Sequence, residues 1–289
     1  MFTVIIPAHN EEAVIAHSLG ALTAGMTPGE MQIIVVCNAC KDRTAEMARR
    51  FAGVTVLETA TPGKPHALNM ADRVAAHFPR IYLDADVRMS VATARELARV
   101  LRSGDIHAAA PQLQVDLEGR SWLLRAYYRI WTRLPYCTQG MVGSGVYALS
   151  EQGRARFGDF PELLAEDDFI RLLFAPKERL TLPGHSFTVA APTSFASLLK
   201  LRRRWERSNR QIDNTYTGMR VNDQRSYTPF FRELLSSPSL WPAFVVYAYA
   251  IVSCRISAAV QLRFAKNPWE WSRDDTARAE MGKSSSRGQ

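Results

Sequence analysis

Cysteine is scarce in this chain. Four thiols in 289 residues, at Cys37, Cys40, Cys137 and Cys254, are too few and too scattered for the disulfide framework of a small secreted scaffold. A reducing compartment is expected. They make no zinc site either, because no second cysteine or histidine pair stands at ligand spacing. Met1 to Pro7 lacks a basic n-region and a cleavage site, so no signal peptide is expected there. A bilayer-crossing helix wants about 20 apolar residues. The apolar run inside Leu240 to Leu262 holds only from Pro242 to Cys254, where Arg255 ends it. Internal repeats and low-complexity blocks are missing before the polar tail at Lys283 to Gln289, which is expected to be disordered.

With 47% hydrophobic and 22% charged residues, the composition is that of a globular chain long enough to bury a full core. The net charge of +8 suits a partner rich in phosphate without choosing among nucleotide, lipid and nucleic acid.

The first third alternates between two patterns. Short β-branched runs at Thr3 to Ile6, Gln32 to Cys37, Val54 to Leu57 and Arg80 to Leu83 read as strands. Gln32 to Cys37 is apolar at every position after the first, as in a parallel strand covered on both faces. Between the runs lie helical stretches at about 11 to 24, after Asp42, and from His66 to His77, with Asn10 the expected cap of the first. A helix at 90 to 103, a strand at Ala108 to Val115, an aromatic and basic helix at Arg120 to Thr132 and a strand at Val146 to Leu149 follow. Strand and helix in turn argue an α/β nucleotide-binding layer.

The fourth run ends in Asp84-Ala85-Asp86. Side chains two apart on a strand point the same way, so both carboxylates leave the sheet together at its edge. Two such charges repel unless a proton or cation lies between them, and a hard divalent ion bridged to phosphate is the usual answer. An acidic turn capping the next helix is the plainer alternative.

The motifs in order resemble glycosyltransferase family 2, enzymes of the GT-A fold. They are Val4 to Glu12, Asn38 to Thr44, Gly63 to Asn69, Asp84-Ala85-Asp86, Gly143-Ser144-Gly145, Glu166-Asp167-Asp168 and Arg203-Arg204-Trp205. Together they cover about residues 2 to 210. The resemblance implies an α/β GT-A catalytic domain at 1–215, built on a Rossmann-like, predominantly parallel sheet. A helical, partly hydrophobic extension at 216–289 would follow it. It implies an inverting enzyme moving one sugar from a UDP-, GDP- or TDP-sugar to a hydroxyl of a lipid-linked, saccharide or small-molecule acceptor, with Mg²⁺ or Mn²⁺ and without nucleic acid.

By that resemblance Pro7, Ala8, His9 and Glu11 form the donor's nucleoside edge. Asn38 stands where many relatives carry Asp, which leaves the nucleobase open. Lys64, Arg203 and Arg204 face the diphosphate, Asp86 holds the metal, and Asp84 lies nearer the ribose or the metal shell; apart from the resemblance, His185 after Pro183-Gly184 is a further candidate ligand, with a structural histidine the alternative. Asp167 is the catalytic base, with Asp168 its rival if the register slips by one. Gly143, Ser144, Glu166, Asp168 and Trp205 border the acceptor. Leu201 replaces the first residue of the family's Gln-x-x-Arg-Trp motif, which argues for single transfer over processive synthesis.

A sugar-phosphate nucleotidyltransferase would need a glycine-rich loop ending in Arg where Pro7 to Glu11 stands. A non-catalytic adaptor of the same fold is the other alternative, and intact Asp86 and Asp167 speak against it. Cys37 and Cys40 read as an idle pair. Leu240 to Leu262, flanked by Arg232, Arg263 and Lys266, reads first as an interfacial attachment to a membrane surface, with a spanning helix or docking on the protein or a partner as alternatives, and Trp269 to Asp274 as a second anchor or a folded-back cap. Together these place the protein in the cytoplasm, peripheral to the inner face of the plasma membrane.

Overall fold

The computed structural model describes residues 1–140 and 143–264, with side chains as far as residue 257. The expected anchor at Trp269 to Asp274 and the polar tail lie outside the described residues. The first half runs β1 (Thr3–Ala8), α1 (Ile15–Thr23), β2 (Gln32–Asn38), α2 (Thr44–Arg49), β3 (Val54–Thr59), α3 (Lys64–Val74), β4 (Arg80–Leu83), β5 (Arg88–Met89) and α4 (Val91–Leu101). The second runs β6 (Ala108–Asp116), α5 (Trp122–Trp131), α6 (Pro135–Thr138), β7 (Val146–Leu149), α7 (Glu151–Arg154), α8 (Glu166–Leu173), β8 (Arg179–Ala190), α9 (Phe195–Thr215), α10 (Thr228–Ser236) and α11 (Trp241–Phe264).

All eight strands join one sheet in the order β3-β2-β1-β4-β7-β6-β8-β5. The pairings β1 with β2 and β4, β2 with β3, and β6 with β8 are parallel; β4 with β7, β7 with β6, and β8 with β5 are antiparallel. The parallel run β3-β2-β1-β4 is the expected Rossmann-like half.

Alternation along β2 explains its unbroken apolar sequence. Ile33, Val35 and Cys37 enter the layer that holds α1 and α4, while Ile34 and Val36 enter the opposite layer with α3 and α8. A third apolar cluster joins α5 and α9 to Phe230 and Leu234 of α10 and to Ala243 and Ala250 of α11. The described part of the C-terminal extension therefore shares a core with the helices before it. Its stretch Pro238–Ser257 is long and apolar enough, by length and composition, to cross a membrane.

Two expectations shift, and one strand had none. α1 starts at Ile15, not near residue 11, and Asn10 does not cap it: Asn10 takes a positive φ of 52° and its Oδ1 accepts from the Lys41 N–H at 2.7 Å. Residues 10 to 12 are thereby spent on cross-links to the loop after β2. α3 starts at Lys64, two residues early, because Pro65 suits the first turn of a helix, where its missing N–H costs nothing. β8, which Pro183-Gly184 concealed, pairs with β6 through a bulge: Leu182 faces Pro111 and Ser186 faces Gln112, so residues 183–185 stand outside the ladder.

Candidate active site

β1 lies between β2 and β4, where the chain crosses from one side of the sheet to the other, and the crevice beyond such strand ends is where α/β folds bind ligands. A cleft of about 1570 Å³ opens there, larger than the few hundred to about 1,000 Å³ of most small-molecule sites. Asp84 follows β4 directly. Its N–H donates to the Gly145 carbonyl at 2.8 Å and its own carbonyl accepts from the Val87 N–H at 3.1 Å. That turn holds both Asp84 and Asp86 on the cleft wall.

Lys64, at the first position of α3, ties two walls together. Its Nζ lies 2.6 Å from Asp84 Oδ1 and 2.5 Å from Glu166 Oε1. Burial and the Glu166 and Asp86 carboxylates outweigh Lys64 at Asp84, whose carboxyl is held above its usual range. The ammonium itself is pushed up: burial opposes its charge, but Asp84, Glu166 and Asp167 outweigh burial.

Asp167 sits one residue into α8. Burial first, then Glu166, Asp168 and Asp84, drive its carboxyl well above the usual carboxylate range against the pull of Lys64. Gly143 makes room for it: a Cβ there would lie 2.9 Å from Asp167 Cβ and 3.2 Å from its backbone carbon. Asp168, which also borders the cleft, is committed elsewhere. It accepts from Arg171 Nε at 3.0 Å, and Arg171 binds Asp223 at 2.8 Å. The structure thus separates the two candidates: Asp167 is held by crowding and opposing charges, whereas Asp168 is locked in an ion-pair network.

The nucleoside edge is stitched from three segments. The Asn38 side chain donates to the Ala8 carbonyl at 2.9 Å and accepts from the Gly63 N–H at 3.2 Å, while His9 Nδ1 donates to the Asn38 carbonyl at 2.6 Å. An aspartate at 38 would set a carboxylate against the Ala8 carbonyl. Asn therefore fits here because it both donates and accepts. Pro7, His9, Glu11 and Asn38 line the cleft; Ala8 acts through its carbonyl alone and is buried beneath them.

Two further expectations are corrected by position. His185 lies in the β8 bulge, not among the residues bordering the cleft, and its charge acts on Glu96 of α4. Arg203 turns back along α9 to donate to the Leu199 carbonyl at 3.2 Å, whereas Arg204 and Arg202 border the cleft. Trp205 borders the cleft and stacks on Trp131 with ring centroids 5.6 Å apart. Ser144 meets the buried Tyr136 hydroxyl, a cleft residue with no motif of its own in the sequence, as is Arg225.

Asp84 and Asp86 are hard oxygen donors on one wall. Two carboxylates completed by phosphate oxygens and water suit Mg²⁺ or Mn²⁺. Among the described residues no group of three or more His, Cys, Asp or Glu side chains gathers into a complete metal shell. The residues present fit a metal shared with substrate.

The family model "Glycosyl transferase family 2" matches residues 3–144. Over that stretch, just under half of its length, the chain is similar to the family. Comparison with curated proteins yields no match. Among solved structures, the chain is similar to the mannosyltransferase PcManGT from Pyrobaculum calidifontis in complex with GDP-Man and Mn²⁺. That pair has 20% identity and TM-score 0.59, covering 99% of this chain and 80% of that one. It is also similar to S. aureus TarS 1–349 in complex with UDP, with 18% identity, TM-score 0.52, and 100% and 92% covered. A third is glucosyl-3-phosphoglycerate synthase from Mycobacterium tuberculosis in complex with Mn²⁺, UDP and glucosyl-3-phosphoglycerate, with 16% identity, TM-score 0.52, and 74% and 79% covered. At such identities the likeness establishes the GT-A fold.

Proposed function

We propose that the protein is a metal-dependent, inverting glycosyltransferase that moves one sugar from a nucleotide-sugar to an acceptor hydroxyl. The observation that carries this reading is that Asp84 and Asp86 on one wall, and Asp167 on another, border a single cleft with room for both substrates. The solved structures that share the fold hold GDP-Man, UDP, Mn²⁺ or Mg²⁺ by their descriptions, which supports the donor class and the metal.

Asp84 and Asp86 would hold Mg²⁺ or Mn²⁺, which when bound neutralises the charge growing on the departing nucleoside diphosphate. Pro7, His9, Glu11 and Asn38 form the edge for base and ribose, and Lys64 and Arg204 supply positive charge to the diphosphate. Asp167 takes the proton of the acceptor hydroxyl as that oxygen attacks the anomeric carbon from the face opposite the leaving group. A raised carboxyl is the stronger base for that task once ionised. Gly143 keeps the approach to Asp167 open, and Trp205 offers an aromatic face to the acceptor.

The acceptor is presented at a lipid surface in this reading, with the protein cytoplasmic and peripheral. Trp241, Val245, Tyr249, Val252 and Ile256 recur every three or four residues along α11 and stay more than half exposed, while Ala243, Ala250 and Cys254 on its other face are buried against the protein. A helix bound along one face suits lying in the interface better than crossing it.

The test is hydrolysis and transfer with UDP-, GDP- and TDP-sugars and Mn²⁺. Asp86→Ala is expected to abolish turnover while the melting temperature stays near that of the wild type. Unchanged turnover in this variant would remove the metal-binding role.

A further inference from the structure

We infer that Cys37 and Cys40 form a redox-active dithiol site, open to oxidation by a low-molecular-weight disulfide, whose closure weakens nucleotide binding at the adjoining edge. Spacing alone reads as an idle pair; the fold turns both side chains to one side. Both enter the same apolar layer, and the thiols lie near enough to shift each other in opposite directions. The bend between them places Ala39 at φ 48°, in the left-handed region that a residue with a Cβ seldom adopts. That bend returns Cys40 to the face that Cys37 occupies.

The two cysteines differ in access. Cys40 is half-buried, and Cys37 is 2% exposed. The neighbouring Cys37 thiol lowers the Cys40 thiol to about 6 against the cost of burial, with help from the Asn10 N–H 3.4 Å from the sulfur. Cys40 and burial push Cys37 up. Cys40 is therefore the attacking thiolate and Cys37 the resolving thiol.

In the first step the Cys40 thiolate attacks one sulfur of a disulfide R–S–S–R, forming Cys40–S–S–R and releasing RS⁻. Cys37 then gives its proton to solvent and attacks the Cys40 sulfur, and a second RS⁻ leaves. Two electrons pass from the protein pair to the small disulfide, which becomes two thiols.

The pair brackets Asn38, whose side chain joins Ala8 to Gly63 and whose carbonyl holds His9. The Cys40 sulfur also lies 3.5 Å from the Ala8 carbonyl. Closing the disulfide pulls that sulfur toward Cys37 and re-aims residues 38 to 40, moving the anchor of the whole edge. The coupling to donor binding rests on the nucleoside-edge reading above; the dithiol chemistry does not.

The full chain is equilibrated with graded ratios of oxidised to reduced glutathione. Intact mass and peptide mapping read the disulfide, and calorimetry with UDP and GDP in Mn²⁺ reads affinity. The expected result is a loss of two hydrogen masses confined to the peptide holding residues 37 and 40. Nucleotide affinity should fall about fivefold or more, a usual size for coupling between sites, and return with dithiothreitol. Cys40→Ser and the apolar Cys37→Ala should bind like the reduced protein and ignore oxidation. Failure of the mass change at ratios that oxidise a dithiol enzyme overturns the site, and a disulfide that leaves affinity unchanged overturns the coupling. If neither nucleotide binds the reduced protein, the donor reading fails instead. Mass change and altered amide exchange at residues 38 to 41 then decide the dithiol site alone.

Discussion

Lys64→Met isolates the charge balance of the cleft. The wild-type ammonium lies within 2.6 Å of two carboxylates, with Glu166 almost wholly buried and Asp84 and Lys64 each about one-third exposed at the side chain. Methionine keeps the length and apolar stem and removes the charge. Stripping one partner from a fully buried pair costs about 3–5 kcal/mol, and an exposed pair is worth at most about 1. The intermediate exposure here puts the loss at about 2 kcal/mol. For a chain of this size that is a fall of about 4–8 °C in melting temperature, read by scanning calorimetry at pH 7.5 without metal. Mn²⁺ should then stabilise the variant more than the wild type, because a divalent ion at Asp84 no longer competes with the ammonium; binding of the ion to the native state alone raises stability by mass action. A variant that melts at or above the wild type without metal, or gains no more from Mn²⁺ than the wild type, would refute the idea that Lys64 balances these carboxylates.

Asp167→Asn should keep donor affinity and lose transfer by about 10²- to 10⁴-fold, the usual worth of a positioned base. The same variant tests the raised carboxyl. A folded-state value above the unfolded one contributes stability below about pH 4 and loses it as pH climbs through the raised value. Asn should therefore be more stable than the wild type at pH 7, the gap closing near pH 4; a variant less stable at pH 7 contradicts the direction. Gly143→Ala places a methyl 2.9 Å from Asp167 Cβ, so transfer should fall about 10²-fold with donor affinity kept, and full transfer activity would show that Asp167 moves freely. Val245→Asp combined with Val252→Asp on the exposed face of α11 should cut co-sedimentation with anionic liposomes at low salt without lowering the melting temperature. Equal sedimentation would remove the lipid surface from the proposal.

The parallel half of the sheet was legible because its strands carry their own pattern. Gln32–Asn38 is apolar on both faces, and Arg80–Leu83 ends in two acids at a strand terminus. The second half was less so. No strand was read over β8, which holds Pro183-Gly184 inside it: a bulge lets the strand eject three residues and resume pairing. The start of α1 was misplaced because Asn10 and Glu12 have two uses that look alike in sequence. They serve as helix-capping residues or as cross-links, with Glu12 N–H donating to Asp42 and its carboxylate accepting from Arg43.

The order of residues alone carried the resemblance to the family, the strand that delivers Asp84 and Asp86, and the acidic head of α8, because each is a contiguous motif whose chemistry travels with it. Only the tertiary structure decided where each member of a motif is placed. Arg171 holds Asp168 and also reaches Asp223, 52 positions on. Arg202 and Arg204 border the cleft while Arg203 bonds back to its own helix, and His185 stands outside. The cleft wall is drawn from segments far apart in the chain, so which side chains line it depends on packing that their neighbours in sequence do not carry.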